Sequence, residues 1–395
     1  MIFRLALGLI LATPSLAAGW TLQAAGELAA AIDAAGAEGL DPARYGSGAL
    51  WTAIGAGDME AVERLAPPAF RSLASDFALG AAPESARLRW HLGPAAGPGL
   101  VERKMEEALA GAGVSATLRG LLPVHPQYAA LKAALAETPE QDARRRAALR
   151  VNLDRWRWLP RALGADHLLV NVPEFTLHHV EGGQVIATHR VIVGKPKTPT
   201  PQLAATVSGV ILNPEWVIPA SIQAEGIGRQ VATNPAAARA RGYVKTATGI
   251  TQMPGPNNAL GQMKLRMPNP YSIYLHDTPA KTLFARNPRA FSHGCIRTQY
   301  PFDLAERLLK GSDWTRARID AAVAEGRTTA DIDIPRPIPV YILYFTAWAG
   351  EDGKVTILDD LYGRDAPVRA ALGLSGKPRE VAVKADSLVG SCSAG

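Results

Sequence analysis

The hydrophobic pattern of this 395-residue chain changes character once, near Pro160. Before that point, apolar residues recur three and four positions apart in LQAAGELAAAIDAAGAEGL, DMEAVERLAPPAFRSLASDFAL and HPQYAALKAALAETPEQDARRRAAL. This spacing predicts short helices separated by Gly and Pro. After it, HLLVNVPEFTLHHVEGGQVIATHRVIVG alternates apolar and polar residues across an EGG turn. The alternation predicts a β-hairpin with one buried face.

Four further stretches have the composition of strands: ATVSGVILNP, QMKLRMPN, YSIYLHD and PVYILYFTAW. Within MKLRM, the three apolar side chains share one face and Lys264 and Arg266 the other, because side chains alternate along a strand. PFDLAERLLKG predicts a helix that stops at Gly311, and VIVGKPKT predicts a strand followed by a turn. The second half of the chain is therefore expected to be mostly β with a few helices.

These patterns predict an α+β protein with a helical N-terminal scaffold domain and a mostly β second domain. The expected boundaries are 1–17 for a signal peptide, 18–150 for the scaffold, 151–370 for the second domain and 371–395 for a flexible C-terminal tail. The scaffold sequence contains no nucleophilic or metal-binding constellation. We therefore expect the chemistry in the second domain.

The first residues have the pattern of an export signal. Arg4 precedes an apolar run, and Pro14 and the small-residue site Ser15-Leu16-Ala17 follow it. A membrane anchor would need about 20 apolar residues, roughly twice the length of this run. We expect a cleaved signal, a periplasmic location in the cell envelope and no stable membrane insertion.

The charge of +6 and the pI near 9.3 suit an anionic partner. Nucleic acid is not expected for an exported chain. Arginines are densest between residues 144 and 161, where two interpretations stand: a solvated helix face packed on Trp156 and Trp158, or a surface that favours the anionic envelope.

The chain has two cysteines, Cys295 and Cys392. A disulfide between them would tie a motif residue to a polar tail, so we predict a reduced Cys295 thiol and an incidental Cys392. A metal site built from cysteines is excluded by their number, and HExxH is absent from the sequence. We expect no metal and no cofactor.

Cys295 lies in FSHGCIRTQ, among groups that could activate it. A thiol becomes a good nucleophile only beside a base or a positive charge. His276 could accept the thiol proton across a site rim, while His293 and Arg297 lie two positions before and after the cysteine. Main-chain N–H groups around Gly294 and Cys295 could hold an oxyanion, since glycine allows close approach. The combination indicates acyl transfer.

His276, fifteen intervening residues and then Ser292-His293-Gly294-Cys295 form a pattern that resembles the signature of the L,D-transpeptidase family, with its YkuD-type catalytic domain. That signature is His, 14 to 17 residues, then Ser or Thr followed by His-Gly-Cys. The blocks NLDRWRWLP, NPEWVIPASI and PGPNNALGQMKLRMPNPYSIYLHDTP extend the resemblance over residues 150–365 and are similar to the scaffold-bearing, YcbB-like branch. The resemblance implies an L,D-transpeptidase type of catalytic domain.

The resemblance also implies a reaction. Cys295 would attack the carbonyl at the L-centre of diaminopimelate in a peptidoglycan stem peptide, with His276 as base, and release D-Ala. The amine of a neighbouring stem would then resolve the thioester into a cross-link. We expect a monomer acting on stem peptides.

Other residues of the motif blocks receive supporting roles by the same resemblance. Asp277 would orient His276 through its main-chain carbonyl, and Arg297 would hold a carboxylate or brace the loop; for both residues, purely structural ion pairing is the alternative. Ser292 and His293 would support the nucleophile. The predicted substrate-binding residues are Asn258, Lys264 and Tyr274.

Two departures from the family pattern affect substrate docking. Arg297 stands where many members have Asn, so no Asn role is transferred. The sequence leaves no room for a peptidoglycan-binding module, and the loop between NPEWVIPASI and PGPNNALG is short, so a reduced active-site cap is expected.

Three other functions stay open. Water instead of an amine could resolve the thioester, which would make an L,D-carboxypeptidase. A transpeptidase could use a different donor position, or the chain could be a non-catalytic wall-binding protein. A papain-like protease fits poorly, because its cysteine precedes its histidine.

Overall fold

The computed structural model describes residues 19–247 and 249–374. The predicted signal peptide, Cys392 and nearly all of the predicted tail lie outside these residues. Within them, the predicted α+β architecture is confirmed: helices fill the N-terminal part and a large sheet dominates the rest. Among the helices described, none is both long and apolar enough to cross a bilayer.

Within the described residues, seven α-helices precede the first strand, in the region where the apolar periodicity predicted short helices. They are α1 (Leu22–Asp33), α2 (Ser47–Ala56), α3 (Met59–Leu79), α4 (Leu100–Glu107), α5 (Val114–Arg119), α6 (Pro126–Glu137) and α7 (Ala143–Arg157). Six more follow: α8 (Ala220–Ile222), α9 (Gly228–Thr233), α10 (Pro235–Ala240), α11 (Pro301–Leu308), α12 (Arg316–Ala324) and α13 (Asp365–Ala371). The predicted helix after the cysteine motif is α11, which ends before Gly311.

Helix α3 shows where the prediction of proline-separated helices was wrong. It runs for 21 residues through Pro67 and Pro68. Proline in a helix interior removes a main-chain hydrogen bond. The buried stripe of Val62, Ala66 and Phe70 continues across the prolines, so packing against the scaffold core outweighs that local cost.

Helix α7 joins the two domains and is not the solvated basic face that one interpretation expected. Arg155 and Arg157 are 2% and 0% exposed. Arg155 donates to Asp365 at 2.6 Å, and Arg157 donates to the Tyr128 hydroxyl at 2.9 Å. A buried arginine requires such partners. The predicted domain boundary at residue 150 therefore falls inside a structural helix.

Fourteen strands follow α7. They are β1 (His167–Asn171), β2 (Thr176–Glu181), β3 (Gln184–Gly194), β4 (Leu203–Leu212), β5 (Trp216–Val217), β6 (Tyr243–Thr246), β7 (Gly249–Gln252), β8 (Met263–Arg266), β9 (Leu275–His276), β10 (Ala290–Ser292), β11 (Ile296–Thr298), β12 (Ile332–Leu343), β13 (Ala347–Ala349) and β14 (Val355–Ile357).

Nine of these strands form one mixed sheet in the order β10-β3-β11-β9-β8-β4-β12-β1-β2. The long strand β3 pairs with β2 through its first half and with β11 through its second half. The sheet therefore closes on itself, which leaves few free edges. Its interior holds the main core, to which Cys295 belongs.

The predicted hairpin is present as β2 and β3, but β1 and β2 are not buried on one face only. On β1, Leu168 and Val170 point into the sheet interior, while Leu169 packs with Leu153 and Trp156 of α7. The helical domain thus covers the outer face of the sheet. A strand buried on both faces becomes continuously apolar, which explains the HLLV sequence.

Residues 213–259 form a cap, which is more than the reduced loop that the sequence suggested. Strands β5, β7 and β6 make a small antiparallel sheet, and α8 to α10 pack beside it. The cap has its own apolar cluster, centred on Ile218, Val231 and Ile250. This cluster makes the cap a folded unit with a defined surface toward the main sheet.

We expect His125 to make the fold sensitive to acid. Its ring stacks on Trp156 at 4.3 Å, and burial with the nearby charge of His167 lowers the pKa of His125 to about 4. Between pH 6.5 and 4 the unfolded chain binds a proton here that the folded chain does not, so stability falls as the pH falls through this window.

His125→Asn removes this proton uptake while leaving an oxygen to cap α6, where His125 Nδ1 now accepts from the Gln127 N–H at 3.2 Å. Urea unfolding at pH 7 and pH 5 should show a loss of stability that is smaller in the variant by about 2 kcal/mol. The comparison within each protein cancels the cost of the lost stacking. An equal pH dependence in both proteins would contradict the assignment.

Candidate active site

A cavity of about 360 Å³ opens between the cap and the strands that carry the cysteine motif. The cap supplies an apolar wall, and the sheet supplies polar and reactive groups. Its lining residues are Trp216, Ile222, Glu225, Ile227, Tyr243, Ala259, Leu260, Tyr274, His276, Ser292, His293, Cys295 and Arg297. Six of the ten predicted site residues therefore line one cavity: His276, Cys295, Arg297, Ser292, His293 and Tyr274.

Strand pairing places the predicted base beside the predicted nucleophile. Strands β9 and β11 run parallel, and His276 is the register partner of Arg297. Cys295 precedes β11 directly, so it lies at the end of the strand next to His276. The 19 residues between the two strands (277–295), which include the 281–285 3₁₀ helix and β10, make this crossover between parallel neighbours possible.

His276 is 4% exposed and neutral over the working pH range. Burial, with the positive charges of Arg297 and Lys264, lowers the pKa of His276 to about 3, although main-chain groups of Asp277 and Leu260 oppose the shift. A neutral imidazole can accept a proton, which an imidazolium cannot. The arrangement therefore keeps His276 unprotonated, but the same low pKa makes the free imidazole a weak proton acceptor. A base role requires the pKa of His276 to rise when the thiolate forms beside it.

The cysteine lies in a tight loop closed by Ser292. The Ser292 hydroxyl donates to the Cys295 carbonyl at 2.6 Å and accepts from the Gly294 N–H at 3.1 Å. Gly294 has φ +115°, and a Cβ there would lie 3.4 Å from Ile273 Cδ1. Only glycine adopts this conformation without strain. Ser292 and Gly294 thus shape the loop.

The oxyanion prediction for the Gly294 N–H is not supported, because that N–H already donates to Ser292. An N–H with an intramolecular acceptor is a poorer donor to a substrate oxygen. The sequence feature that indicates this bond is Ser292, because a serine hydroxyl can accept from the N–H two residues later in an ST-type turn.

Two further groups act on the Cys295 thiol. Its Sγ lies 3.7 Å from the carbonyl of Ser272, a residue with φ +51°. Arg297 is attracted electrostatically to Cys295, and burial lowers the pKa of the Arg297 guanidinium. A nearby positive charge favours the thiolate form of a cysteine. Arg297 forms no salt bridge with any residue in 19–247 or 249–374.

Lys264 and Tyr274 form a stack behind His276. The Lys264 ammonium lies 4.2 Å from the Tyr274 ring centroid, and that ring meets His276 edge-on at 5.5 Å. Tyr274 faces the cavity, whereas Lys264 is not among its lining residues. Tyr274 therefore lines the cavity, and Lys264 lies behind it.

Asn258 is placed differently from its predicted substrate-binding role. It is 1% exposed, its amide donates to the carbonyls of Pro214, Gln252 and Met253, and its oxygen accepts from the Leu260 N–H. A side chain that is buried and bonded in this way has no amide N–H left for substrate. Asn258 instead fastens the cap to the strand that follows it.

The Asp277 side chain points away from His276. Its carboxylate accepts from the Gln262 N–H at 2.9 Å and pairs with Lys281. A main-chain hydrogen bond with Asp277 raises the pKa of the His276 ring, and its orienting role stays a prediction. The aspartate therefore fixes the turn before β8 through its side chain.

His293 links the cysteine loop to the cap. Its Nε2 lies 3.0 Å from the Glu225 carboxylate, at the kink where Gly226 has φ +132°. The cap otherwise presents apolar side chains to the cavity, including Trp216 and Ile227. His293 thus contacts the cap, and nothing in the sequence singled out its partner Glu225.

Two segments of the chain match known protein families. Residues 165–325 match the family described as L,D-transpeptidase catalytic domain (YkuD), and residues 17–135 match the family described as Scaffold domain. Residues 165–325 thus correspond to a YkuD-type L,D-transpeptidase catalytic domain. A peptidoglycan-binding module is not among the matched families.

Individual L,D-transpeptidases are similar over part of their length. A Haemophilus influenzae protein described as "Putative L,D-transpeptidase" is 32% identical over 225 residues, which cover 52% of this chain and 45% of that protein. The chain thus matches just under half the length of this relative. A solved L,D-transpeptidase from Mycobacterium smegmatis aligns with TM-score 0.26 and 16% identity over 45% of this chain and 58% of that one. L,D-transpeptidase 1 of Mycobacterium tuberculosis aligns with TM-score 0.21 and 15% identity over 45% and 61%.

Proposed function

We propose that this protein is an exported peptidoglycan L,D-transpeptidase that cross-links stem peptides through a Cys295 thioester. The observation that supports this most directly is the shared cavity. It brings Cys295, a neutral buried His276 and the Arg297 guanidinium together under a cap in an L,D-transpeptidase catalytic domain. This is the set of groups that nucleophilic acyl transfer requires.

In the first half of the reaction, His276 accepts the thiol proton as Sγ attacks the carbonyl at the L-centre of diaminopimelate. The C–N bond to D-Ala then breaks, the imidazolium returns the proton to the leaving amine, and a thioester remains. Arg297 favours the thiolate before attack. The Cys295 main-chain N–H is our candidate for stabilising the oxyanion.

In the second half, the amine of a neighbouring stem attacks the thioester carbonyl and passes a proton to His276. The thiolate leaves and the cross-link forms. The apolar wall of Trp216, Ile222 and Ile227 supports this outcome over hydrolysis, because it limits water in the cavity. A folded cap over the cysteine is thus the observation that favours a transpeptidase over an L,D-carboxypeptidase.

The test is mass spectrometry of products from purified disaccharide-tetrapeptide. We expect dimers lighter than two monomers by one D-alanine molecule, with fragmentation placing the new bond on the L-centre of diaminopimelate. Tripeptide monomers alone would identify a carboxypeptidase, and a bond elsewhere would identify another donor position. Unchanged substrate, together with no acylation of Cys295 by a carbapenem, would favour a non-catalytic wall-binding protein.

We propose that Arg297 holds a substrate carboxylate, since it lines the cavity and its buried Nε has no hydrogen-bond partner among the described residues. Arg297→Lys keeps the charge but not the planar guanidinium. It should raise KM for the tetrapeptide by about 10-fold while changing Cys295 alkylation by iodoacetamide less than about 3-fold. An equal loss in both assays would assign Arg297 to the thiol alone.

A further inference from the structure

We propose that Tyr362 and Arg364 are positioning residues for the nucleophile. They hold the 194–200 turn, and this turn holds the 292–295 loop that carries Cys295. Both residues lie beyond residues 165–325, the segment that matches the catalytic domain family. The expected effect on rate rests on the proposed function, whereas the expected effect on loop order does not.

The 194–200 turn forms side-chain hydrogen bonds with two residues of the cysteine loop. The Thr200 hydroxyl donates to the Gly294 carbonyl at 2.8 Å and accepts from the Gly194 N–H at 2.9 Å. The Thr198 hydroxyl donates to the Ser292 carbonyl at 3.1 Å. Hydrogen bonds on both sides of His293 fix the main chain on which the cysteine sits.

The two segments are also in direct main-chain contact. A Cβ added to Gly194 would overlap the Thr198 carbonyl and lie 3.1 Å from Gly294 Cα. The absence of a Cβ at Gly194 is what permits this approach. A small displacement of the turn would therefore displace the cysteine loop.

Tyr362 and Arg364 fix the turn from its other side. The Tyr362 hydroxyl donates to the Gly194 carbonyl at 2.7 Å and accepts from the Thr200 N–H at 3.3 Å. The Arg364 guanidinium donates to the Thr200 carbonyl at 2.9 Å. It also lies 4.8 Å from the ring centroids of Tyr344 and Tyr362. Each end of the turn thus has its own buried polar contact.

This arrangement is anchored on the joint between the two domains. The Asp360 carboxylate accepts from the Tyr344 hydroxyl at 2.7 Å and from the N–H groups of Arg364 and Asp365 at 2.8 and 2.9 Å. The Asp365 carboxylate pairs with Arg155 of α7 at 2.6 Å. The chain of contacts therefore runs from helix α7 to the cysteine loop.

Catalytic geometry is sensitive to displacements of this kind, since a misplacement of about 1 Å can cost about 100-fold in rate. The side-chain contacts between the turn and the 292–295 loop are the hydrogen bonds of Thr198 and Thr200. Removing a single hydroxyl should therefore loosen the loop without unfolding the domain.

The test compares Tyr362→Phe with Tyr341→Phe in the full chain. Tyr341 is a matched control, because its hydroxyl also donates to a main-chain carbonyl, that of Leu163 at 3.2 Å, on the outer face of the sheet. In Tyr362→Phe, amide exchange in 191–200 and 291–299 should quicken about 10-fold, and carbapenem acylation of Cys295 should slow about 10-fold. Tyr341→Phe should change neither by more than about 2-fold.

The outcomes separate this inference from the proposed function. Wild-type exchange in both segments of Tyr362→Phe would overturn the positioning role, even if the wild-type protein acylates. Faster exchange in a protein that never acylates would leave the positioning role standing and overturn the proposed function. Arg364→Lys, which retains a donor toward Thr200, should recover exchange protection that Arg364→Met loses; equal losses would remove Arg364 from the proposal.

Discussion

We expect Cys295→Ala to abolish both acylation and product formation. Removal of an enzyme's nucleophile typically costs more than about 10³-fold in rate, because no other group can form the covalent intermediate. The substitution deletes one sulfur atom from a side chain that is 6% exposed within the main core. The fold should therefore persist, so loss of activity reports on chemistry.

The measurement is intact-protein mass spectrometry after incubation with a carbapenem, followed by the tetrapeptide assay. Wild-type protein should gain the mass of one carbapenem, and Cys295→Ala should gain none. Cys392→Ala is the matched control, because it makes the same change at the other cysteine of the chain and should retain wild-type rates. Product formation by Cys295→Ala at the control's rate would end the nucleophile proposal.

The sequence was sufficient to identify the candidate reacting groups, because short-range patterns contain them. Alternation in MKLRM fixed the buried face of β8, and its burial alternates as predicted. The His-Gly-Cys motif pointed to Cys295 and His276, which line the same cavity. A local motif is informative because glycine geometry and strand ends are decided by neighbouring residues.

What the sequence did not reveal depends on long-range contacts. In the sequence, Arg155 and Arg157 have the pattern of surface charges. In the structure, Asp365 forms a salt bridge with Arg155, and the Tyr128 hydroxyl accepts a hydrogen bond from Arg157. Both partners are distant in the chain. Asn258 looked available for substrate because its four main-chain partners cannot be seen from sequence spacing. Tyr362 lies far from the cysteine motif in sequence, and no local pattern connects the two.

His276→Gln should slow carbapenem acylation of Cys295 by about 10² to 10⁴-fold, the usual contribution of a positioned general base. Glutamine keeps a polar side chain of similar length but cannot accept the thiol proton. His293→Gln is the comparison that distinguishes the roles of the two histidines, because His293 contacts Glu225 of the cap. Its effect should stay below about 10-fold. The opposite ranking would transfer the base role to His293.

The pH dependence distinguishes a neutral buried base from one that titrates near neutrality. Because the folded pKa of His276 is about 3 and the unfolded value is near 6.5, the folded protein retains a neutral imidazole as the pH falls from 6.5 toward 3, while the unfolded chain becomes protonated. Stability must therefore decline over this window, and this part of the decline should be absent in His276→Gln.

The acylation rate of folded wild-type protein, measured between pH 8 and pH 5, should show no inflection near 6.5 that belongs to His276. A sigmoidal loss of rate at pH 6.5 that disappears in His276→Gln would mean that the ring titrates normally. That result would contradict the proposal that burial and Arg297 keep His276 neutral.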